Sequence, residues 1–181
     1  MRLRMVKDSD STRLLEIYSY YVEKTNISFE YGVPSEEEFK DRIRNISSKY
    51  PYIVAEKNGI VLGYAYANTF KERTAYNWTV EWSIYLDKNY SAKGLGQILL
   101  DKLIEILKMQ NIVTIQACIT YPNEKSIIFH EKNSFKKVAH FTKVGYKFGK
   151  WHDVVWYEKA LTKHEDNPGK VKWIGEIDVE F

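Results

Sequence analysis

Residues 91–96 read Ser91-Ala92-Lys93-Gly94-Leu95-Gly96, and they stand between an apolar run, Glu81-Trp82-Ser83-Ile84-Tyr85-Leu86, and a stretch with helical apolar spacing. Gly94 and Gly96 lack Cβ atoms, so a ligand can approach the backbone closely, and the first N–H groups of a helix have no partner inside it. Unpaired donors at the positive end of a helix attract phosphate. The chemistry this order suggests is the cradling of a pyrophosphate, with Lys93 adding a point charge. By itself the loop is also readable as an ordinary glycine-bearing turn from strand to helix.

Other reactive side chains carry less. Cys118 is the only cysteine and lies in an apolar strand-like run with no His or Asn beside it, so it reads as a buried hydrophobe. His130, His140, His152 and His164 fall in different elements, and nothing has metal-ligand spacing. Lys136, Lys137, Lys143, Lys147 and Lys150 sit on or near the last strands and read as a solvated surface.

Several elements must position the loop. Leu3 to Val6 reads as a strand, and Asp8 or Ser9 caps a helix carrying Leu14, Leu15, Ile17, Tyr18, Tyr21 and Val22 on one face. Ser35 with Glu38 forms a capping-box pattern ahead of Phe39, Ile43 and Ile46. Asn58-Gly59 lies between the apolar runs Tyr52 to Ala55 and Ile60 to Ala67, which predicts a hairpin. Trp78 to Leu86 is the fourth strand, and Leu95, Ile98, Leu99, Leu103, Ile106 and Leu107 recur at helical spacing behind the loop. Ile112 to Ile119 is the fifth strand, so strand, helix and strand imply a right-handed parallel crossover. A short helix over Asn123 to Lys132 and strands near Phe135 to Tyr146 and Trp151 to Tyr157 complete the order β-α-α-β-β-β-α-β-α-β-β.

The bulk numbers bound the classes. A chain of 181 residues with 44% hydrophobic and 15% aromatic residues is long enough for one domain with a core. A formal net charge of +3 gives no field that implies nucleic acid. A single cysteine allows no internal disulfide. The start, Met1-Arg2-Leu3-Arg4, leads into strand-like sequence without a long apolar region, and no apolar stretch reaches the roughly 18 residues of a spanning helix. The expectation is a cytoplasmic protein with no membrane partner.

The loop and the element order together resemble the GNAT superfamily of acetyl-CoA-dependent acetyltransferases over roughly residues 1–161, with 162–181 as a C-terminal extension compatible with one more strand. Thr79-Val80-Glu81, Lys93-Gly94-Leu95-Gly96 with Leu99-Leu100, Phe129-His130-Glu131 and the block from Val144 to Val154 are similar to the phosphinothricin acetyltransferase branch. Two positions depart from that pattern: Ser91 stands where Arg or Gln is usual, and Ser134-Phe135 replaces the usual Gly-Phe.

The resemblance implies an α/β (α+β) fold of GNAT type, a mixed, mostly antiparallel sheet of about seven strands flanked by about four helices. It implies an enzyme that transfers the acetyl group of acetyl-CoA to the free amine of a small amino-acid analogue, phosphinothricin-like or methionine-sulfone-like, by direct attack in a ternary complex, and a homodimer. Glu81 would deprotonate the amine, and His130 would act as acid or second base. Ile84, Tyr85 and Leu86 would run along the pantetheine. Ser91, Ala92, Lys93, Gly94, Leu95, Gly96 and Gln97 would hold the pyrophosphate, with Asn123, Ser126, Phe129 and Lys132 contributing from the fourth helix. Phe29, Glu30, Arg73, Tyr76, Val144, Tyr146 and Lys147 would line the acceptor site. Another amine acceptor and a CoA-binding module without turnover stay open as alternatives.

Overall fold

In the computed structural model, which describes residues 1–90 and 94–181, seven strands form one sheet in the order β1-β2-β3-β4-β5-β7-β6. They are β1 (Arg2–Met5), β2 (Tyr52–Lys57), β3 (Ile60–Thr69), β4 (Thr79–Leu86), β5 (Thr114–Tyr121), β6 (Lys136–Lys147) and β7 (Lys150–Ala160). Four helices flank it: α1 (Ser11–Lys24), α2 (Glu36–Ser47), α3 (Leu95–Met109) and α4 (Glu124–Lys132). This is the expected mixed α/β architecture, with the expected order of elements.

Alternation along the strands separates two cores. One face buries Val80, Trp82, Ile115 and Ala117 against Leu99, Leu100, Leu103, Ile106 and Leu107 of α3. The other buries Tyr52, Val54 and Tyr64 against Leu14, Ile17, Tyr18 and Val22 of α1 and Phe39 and Ile43 of α2. The local signals act where the residue types require. Asn58 and Gly59 both take positive φ, 53° and 78°, as a two-residue hairpin turn needs. Ser35 caps α2 by accepting the N–H of Glu38 at 3.2 Å, but the Glu38 carboxylate turns to Arg42 instead of closing the box.

Two expectations are corrected, and one departure is accommodated. A short 3₁₀ turn over Asp8–Asp10 precedes α1, so Asp10 and not Asp8 or Ser9 is its N-cap; the Asp10 carboxylate is taken by the Arg4 fork at 2.7 and 2.8 Å and by the Lys7 N–H. The segment after 162 adds no strand. Its backbone is held by other partners instead: Trp78 Nε1 donates to Gly169 O, Asn111 Nδ2 to Lys170 O, and Gln110 Nε2 to Lys172 O. Val171, Trp173, Ile174, Ile177 and Val179 thereby join the α3-side core. Ser134, at the position usually held by glycine, keeps that turn by adopting φ 64°.

The feature that shapes the site is the meeting of β4 and β5. These parallel strands pair only at Thr79↔Thr114, Val80↔Ile115 and Glu81↔Gln116. Beyond that rung β4 stays with β3 to the pair Leu86↔Gly63, and β5 stays with β7 to Tyr121↔Asp153. The two strands part, and a wedge opens through the sheet.

Candidate active site

The wedge is a cleft of about 90 Å³ between Trp82, Ser83, Ile84 and Tyr85 of β4 and Ala117, Cys118, Ile119 and Thr120 of β5, closed by Asn123, Ser126 and His130 at the start of α4 and by Ile27. Asp87 donates its N–H to Leu62 O on β3. Antiparallel alternation therefore turns the main-chain groups of Leu86 and Ile84 away from β3 toward the wedge. The Tyr21 hydroxyl already serves Leu86, donating to its carbonyl at 2.6 Å and accepting its N–H at 3.2 Å. Ile84 carries the free edge.

At the mouth of the wedge α3 begins on Gly94, whose φ of 79° is the left-handed conformation that glycine takes without strain. The carbonyl of Gly94 accepts from Gln97 and Ile98, so the N–H groups ahead of Gln97 have no partner within the helix. Gly96 faces β4 and α4, where an added Cβ would lie 3.6 Å from both Ile84 and Phe129. The glycine brings the helix start close to the two elements that flank the cleft. The expected contacts of Ser91, Ala92 and Lys93 lie outside the described residues.

His130 is buried, with Nδ1 2.7 Å from the carbonyl of Ser126 and Nε2 without a partner. Trp82 is likewise buried with Nε1 unpartnered, and its ring lies 5.4 Å from the imidazole. Both residues line the cleft, and each keeps a buried polar atom with no partner among the described residues. Burial pushes the His130 pKa down, and the Ser126 carbonyl only partly offsets this.

Glu81 occupies the last rung of the β4–β5 pair, half-buried. Burial raises its pKa above the usual carboxylate value, opposed only by Lys71. Its charge acts on Cys118, which lines the wedge, and on Tyr66, which lines a second cavity. That cavity, about 460 Å³, lies on the α1–α2 side of the sheet and is lined by Tyr52, Tyr64, Tyr66 and Tyr85, by Tyr18, Phe39 and Ile46, and at its rim by Glu30 and Arg42. Tyr85 lines both spaces. Glu81 lines neither space itself: it is the β3 partner of Asn68, which lines the large cavity, and it stands two residues before Ser83, which lines the cleft.

Cys118 is not buried. In β5 the residues Ile115, Ala117 and Ile119 take the core face, so Cys118 falls on the other face and is exposed in the cleft. The surrounding protein and then the Glu81 charge push its thiol up to about 12.

The chain matches the model of the acetyltransferase (GNAT) domain over residues 3–156. It belongs to the GNAT acetyltransferase family. Within the family it is 31% identical to a phosphinothricin N-acetyltransferase of Streptomyces viridochromogenes, over 88% of this chain and 87% of that one. It is 30% identical to an L-methionine sulfoximine/L-methionine sulfone acetyltransferase of Salmonella typhimurium, over 91% and 96% of the two chains. A solved GNAT phosphinothricin acetyltransferase of Sinorhizobium meliloti, in complex with AcCoA, superposes with a TM-score of 0.86 at 33% identity, covering 92% of this chain and 94% of that one.

The GNAT framework gathers some of the expected residues and separates others. Ile84, Tyr85, Asn123, Ser126 and His130 meet at the cleft, and Gly96 and Phe129 adjoin it. Asn123 also caps α4, accepting the N–H of Ser126 at 3.2 Å. Leu95 points into the core, Gln97 is bonded to Asp101 and Asn133, and Lys132 is exposed in the last turn of α4. On the acceptor side Glu30 reaches the large cavity but is paired with Arg42. Phe29 packs on His152 and over Gly145, Arg73 is exposed at the turn before β4, and Tyr76 stacks edge-on against Phe70. Val144 and Tyr146 are exposed on the outer strand β6 and line neither space.

Lys147 needs a correction. It is only 2% exposed, and its ammonium donates to the carbonyls of Val22, Thr25 and Ser28 at 2.6, 3.0 and 2.7 Å. All three of its donors are spent on the end of α1, so it cannot reach a substrate. The reading of surface lysines and the acceptor role both fail there, because the C-terminal end of a helix attracts a cation. The tyrosine row went unread in the sequence. Tyr64-x-Tyr66 in one strand with Tyr52 and Tyr85 in its neighbours is a period-2 signal that would have found it.

Proposed function

We propose that the chain transfers the acetyl group of acetyl-CoA to the free amine of a small amino acid or amino-acid analogue, by direct attack in a ternary complex. The observation that carries this reading is the position of Glu81, a half-buried carboxylate on the last rung before β4 and β5 part, paired across β3 with Asn68 of the large cavity. Phosphinothricin-like and methionine-sulfone-like amines come first as acceptors because relatives are named for them.

The residues present fit a CoA thioester. Among the described residues Gly94 to Gly96 have N–H groups without a backbone partner at the start of α3, Ile84 turns its main-chain groups toward the cleft, and Trp82 and His130, which line it, each keep a polar atom without a partner. Bound there, acetyl-CoA supplies an activated acetyl group whose carbonyl carbon is open to an amine.

The protein's own part is proton handling and positioning. An amine must be neutral to attack, and Glu81 takes the proton from the incoming ammonium onto a carboxylate oxygen; such a base contributes about 10² to 10⁴ in rate. A raised pKa suits this, since the base then works nearer the operating pH. His130 would accept the second N–H proton, shed as the C–N bond forms, and return it to the sulfur as the C–S bond breaks, so that free thiol leaves. Nδ1 carries its hydrogen toward Ser126 O, leaving a lone pair at Nε2, and burial keeps the ring neutral. An acetyl-cysteine route is opposed by the Cys118 thiol, which at about 12 holds its proton. The exposed Val138, Phe141, Val144 and Tyr146 along β6 support a homodimer, which analytical ultracentrifugation tests.

Release of free thiol from acetyl-CoA, followed over a panel of amines, tests the reaction. Turnover with at least one amino acid or analogue is expected, together with loss of it in Glu81→Gln. Binding of acetyl-CoA without turnover on any amine would replace the enzyme with a CoA-binding module.

A further inference from the structure

The large cavity is more than a compact aliphatic acceptor requires. Its floor is a row of tyrosines from three strands, and the rings of Tyr52, Tyr64 and Tyr66 lie nearly parallel, with interplanar angles of 12° to 18°. Deep in that row the Tyr64 hydroxyl is buried with no hydrogen-bond partner, on a residue only 1% exposed. The Tyr52 hydroxyl is its polar neighbour, so the Tyr64 hydroxyl keeps hydrogen-bonding capacity beside an aromatic floor. One flat ligand carrying a polar atom would engage both.

The register ties this space to the reaction centre. Asn68, which lines the cavity, is the β3 partner of Glu81, and Tyr66 is the partner of Ser83, which lines the wedge. A molecule whose amine meets Glu81 would therefore lay its other end along the tyrosine row. Just past β3 the Phe70 ring packs edge-on against Trp156, the β7 partner of Cys118, so aromatic surface also lies beside the cleft residue Cys118. Rings favour offset-stacked and edge-to-face neighbours, and a planar group aligned with a parallel row gains both contacts and area.

Building on the acetyl-transfer reading above, we propose that the cavity receives the acceptor's side chain and that this side chain is a planar aromatic ring bearing a hydrogen-bonding group. The preferred acceptor is then an aromatic amino acid with a phenol or indole ring, ahead of compact aliphatic amines such as methionine sulfone. The Tyr64 hydroxyl meets the polar atom of the ring, and Ile46 of α2 closes the far wall.

Thiol-release kinetics with acetyl-CoA on L-tyrosine, L-tryptophan, L-alanine, methionine sulfone and phosphinothricin test this. The expected result is kcat/KM at least about tenfold higher for the two ring-bearing amino acids, the scale on which apolar pockets discriminate. Ile46→Trp, which fills the cavity, should cut that ratio about tenfold. Tyr64→Phe, which keeps the ring and removes the hydroxyl, should abolish any preference for L-tyrosine over L-phenylalanine. Equal or higher kcat/KM for the aliphatic amines overturns the inference and leaves the acetyl-transfer reading standing. If no amine is acetylated, that reading falls, and saturation-transfer NMR of L-tyrosine against L-alanine with CoA present decides the cavity separately. Transfer to the L-tyrosine ring that Ile46→Trp or Tyr64→Phe removes supports a ring-binding cavity, and no transfer refutes it.

Discussion

The Nδ1 atom of His130 lies 2.7 Å from the carbonyl oxygen of Ser126, one turn earlier in α4. A carbonyl only accepts, so the ring donates from Nδ1 and presents a lone pair at Nε2. Burial lowers the folded-state pKa below the ordinary 6.5. Between that lowered value and 6.5 the unfolded chain binds the proton and the folded one does not, so stability rises with pH through this window and the cost is complete below it. On acidification from pH 7 to pH 5, the melting temperature of His130→Gln should fall less than that of the unaltered protein. The same variant should lose about 10 to 100-fold in kcat/KM, read by thiol release.

Glu81 has the opposite linkage. Its folded-state pKa is raised above 4.5, so through the window above 4.5 the folded protein keeps a proton that the unfolded chain has lost. Stability falls as pH rises through that window, and the cost is fully present above the raised value. Glu81→Gln should therefore melt higher than the unaltered protein at pH 8, with the gap narrowing at pH 4, while kcat falls about 10² to 10⁴. Paired melting curves at the two pH values check the first half and thiol release the second.

The ammonium of Lys147 holds three carbonyls at and after the end of α1. Lys147→Met keeps the length of the stem but leaves buried acceptors unpaired, a loss of about 3 kcal/mol. Urea unfolding should show it as a lower midpoint with an unchanged slope.

Much of the scaffold was legible because local rules dominate there. The hairpin at Asn58-Gly59 and the cap at Ser35 follow from residue type, and the order of strands and helices follows from periodicity. What the sequence hid is what long-range contact decides. Lys147 looks like a surface lysine until the end of α1, over 100 positions away in the chain, folds over it. Cys118 looks buried until the parting of β4 and β5 uncovers its face of the strand. Residues 171–181 alternate like a strand, yet their backbone is held by Gln110 and other groups instead of by a strand edge. At the site, His130 lines the cleft because β4, β5 and α4 meet there and Glu81 falls on the last rung before the strands part, whereas Val144 and Tyr146 follow a strand whose outer face is exposed.

Gly145 has no room for a side chain. A Cβ there would lie 2.1 Å from the Phe29 ring, which itself packs on His152. Gly145→Ala should destabilise by about 1 to 3 kcal/mol by overpacking. Combining it with Phe29→Leu should recover part of that loss, and a double-mutant cycle by urea unfolding measures the coupling.

The wedge gives the sheet a mechanical character. Strands β1 to β4 form one plate and β5, β7 and β6 another, paired along Thr79 to Glu81 and Thr114 to Gln116, with the Trp78 carbonyl accepting from Val113 and Thr114 and α3 packed across both. Such a pair of plates works like shears, whose blades travel far at the tips and hardly at all at the pivot. The tips lie toward Leu86 and Tyr121, and the pivot carries Glu81. The gap is therefore widest at the tips, while Glu81 sits at the pivot, where the two strands are still paired.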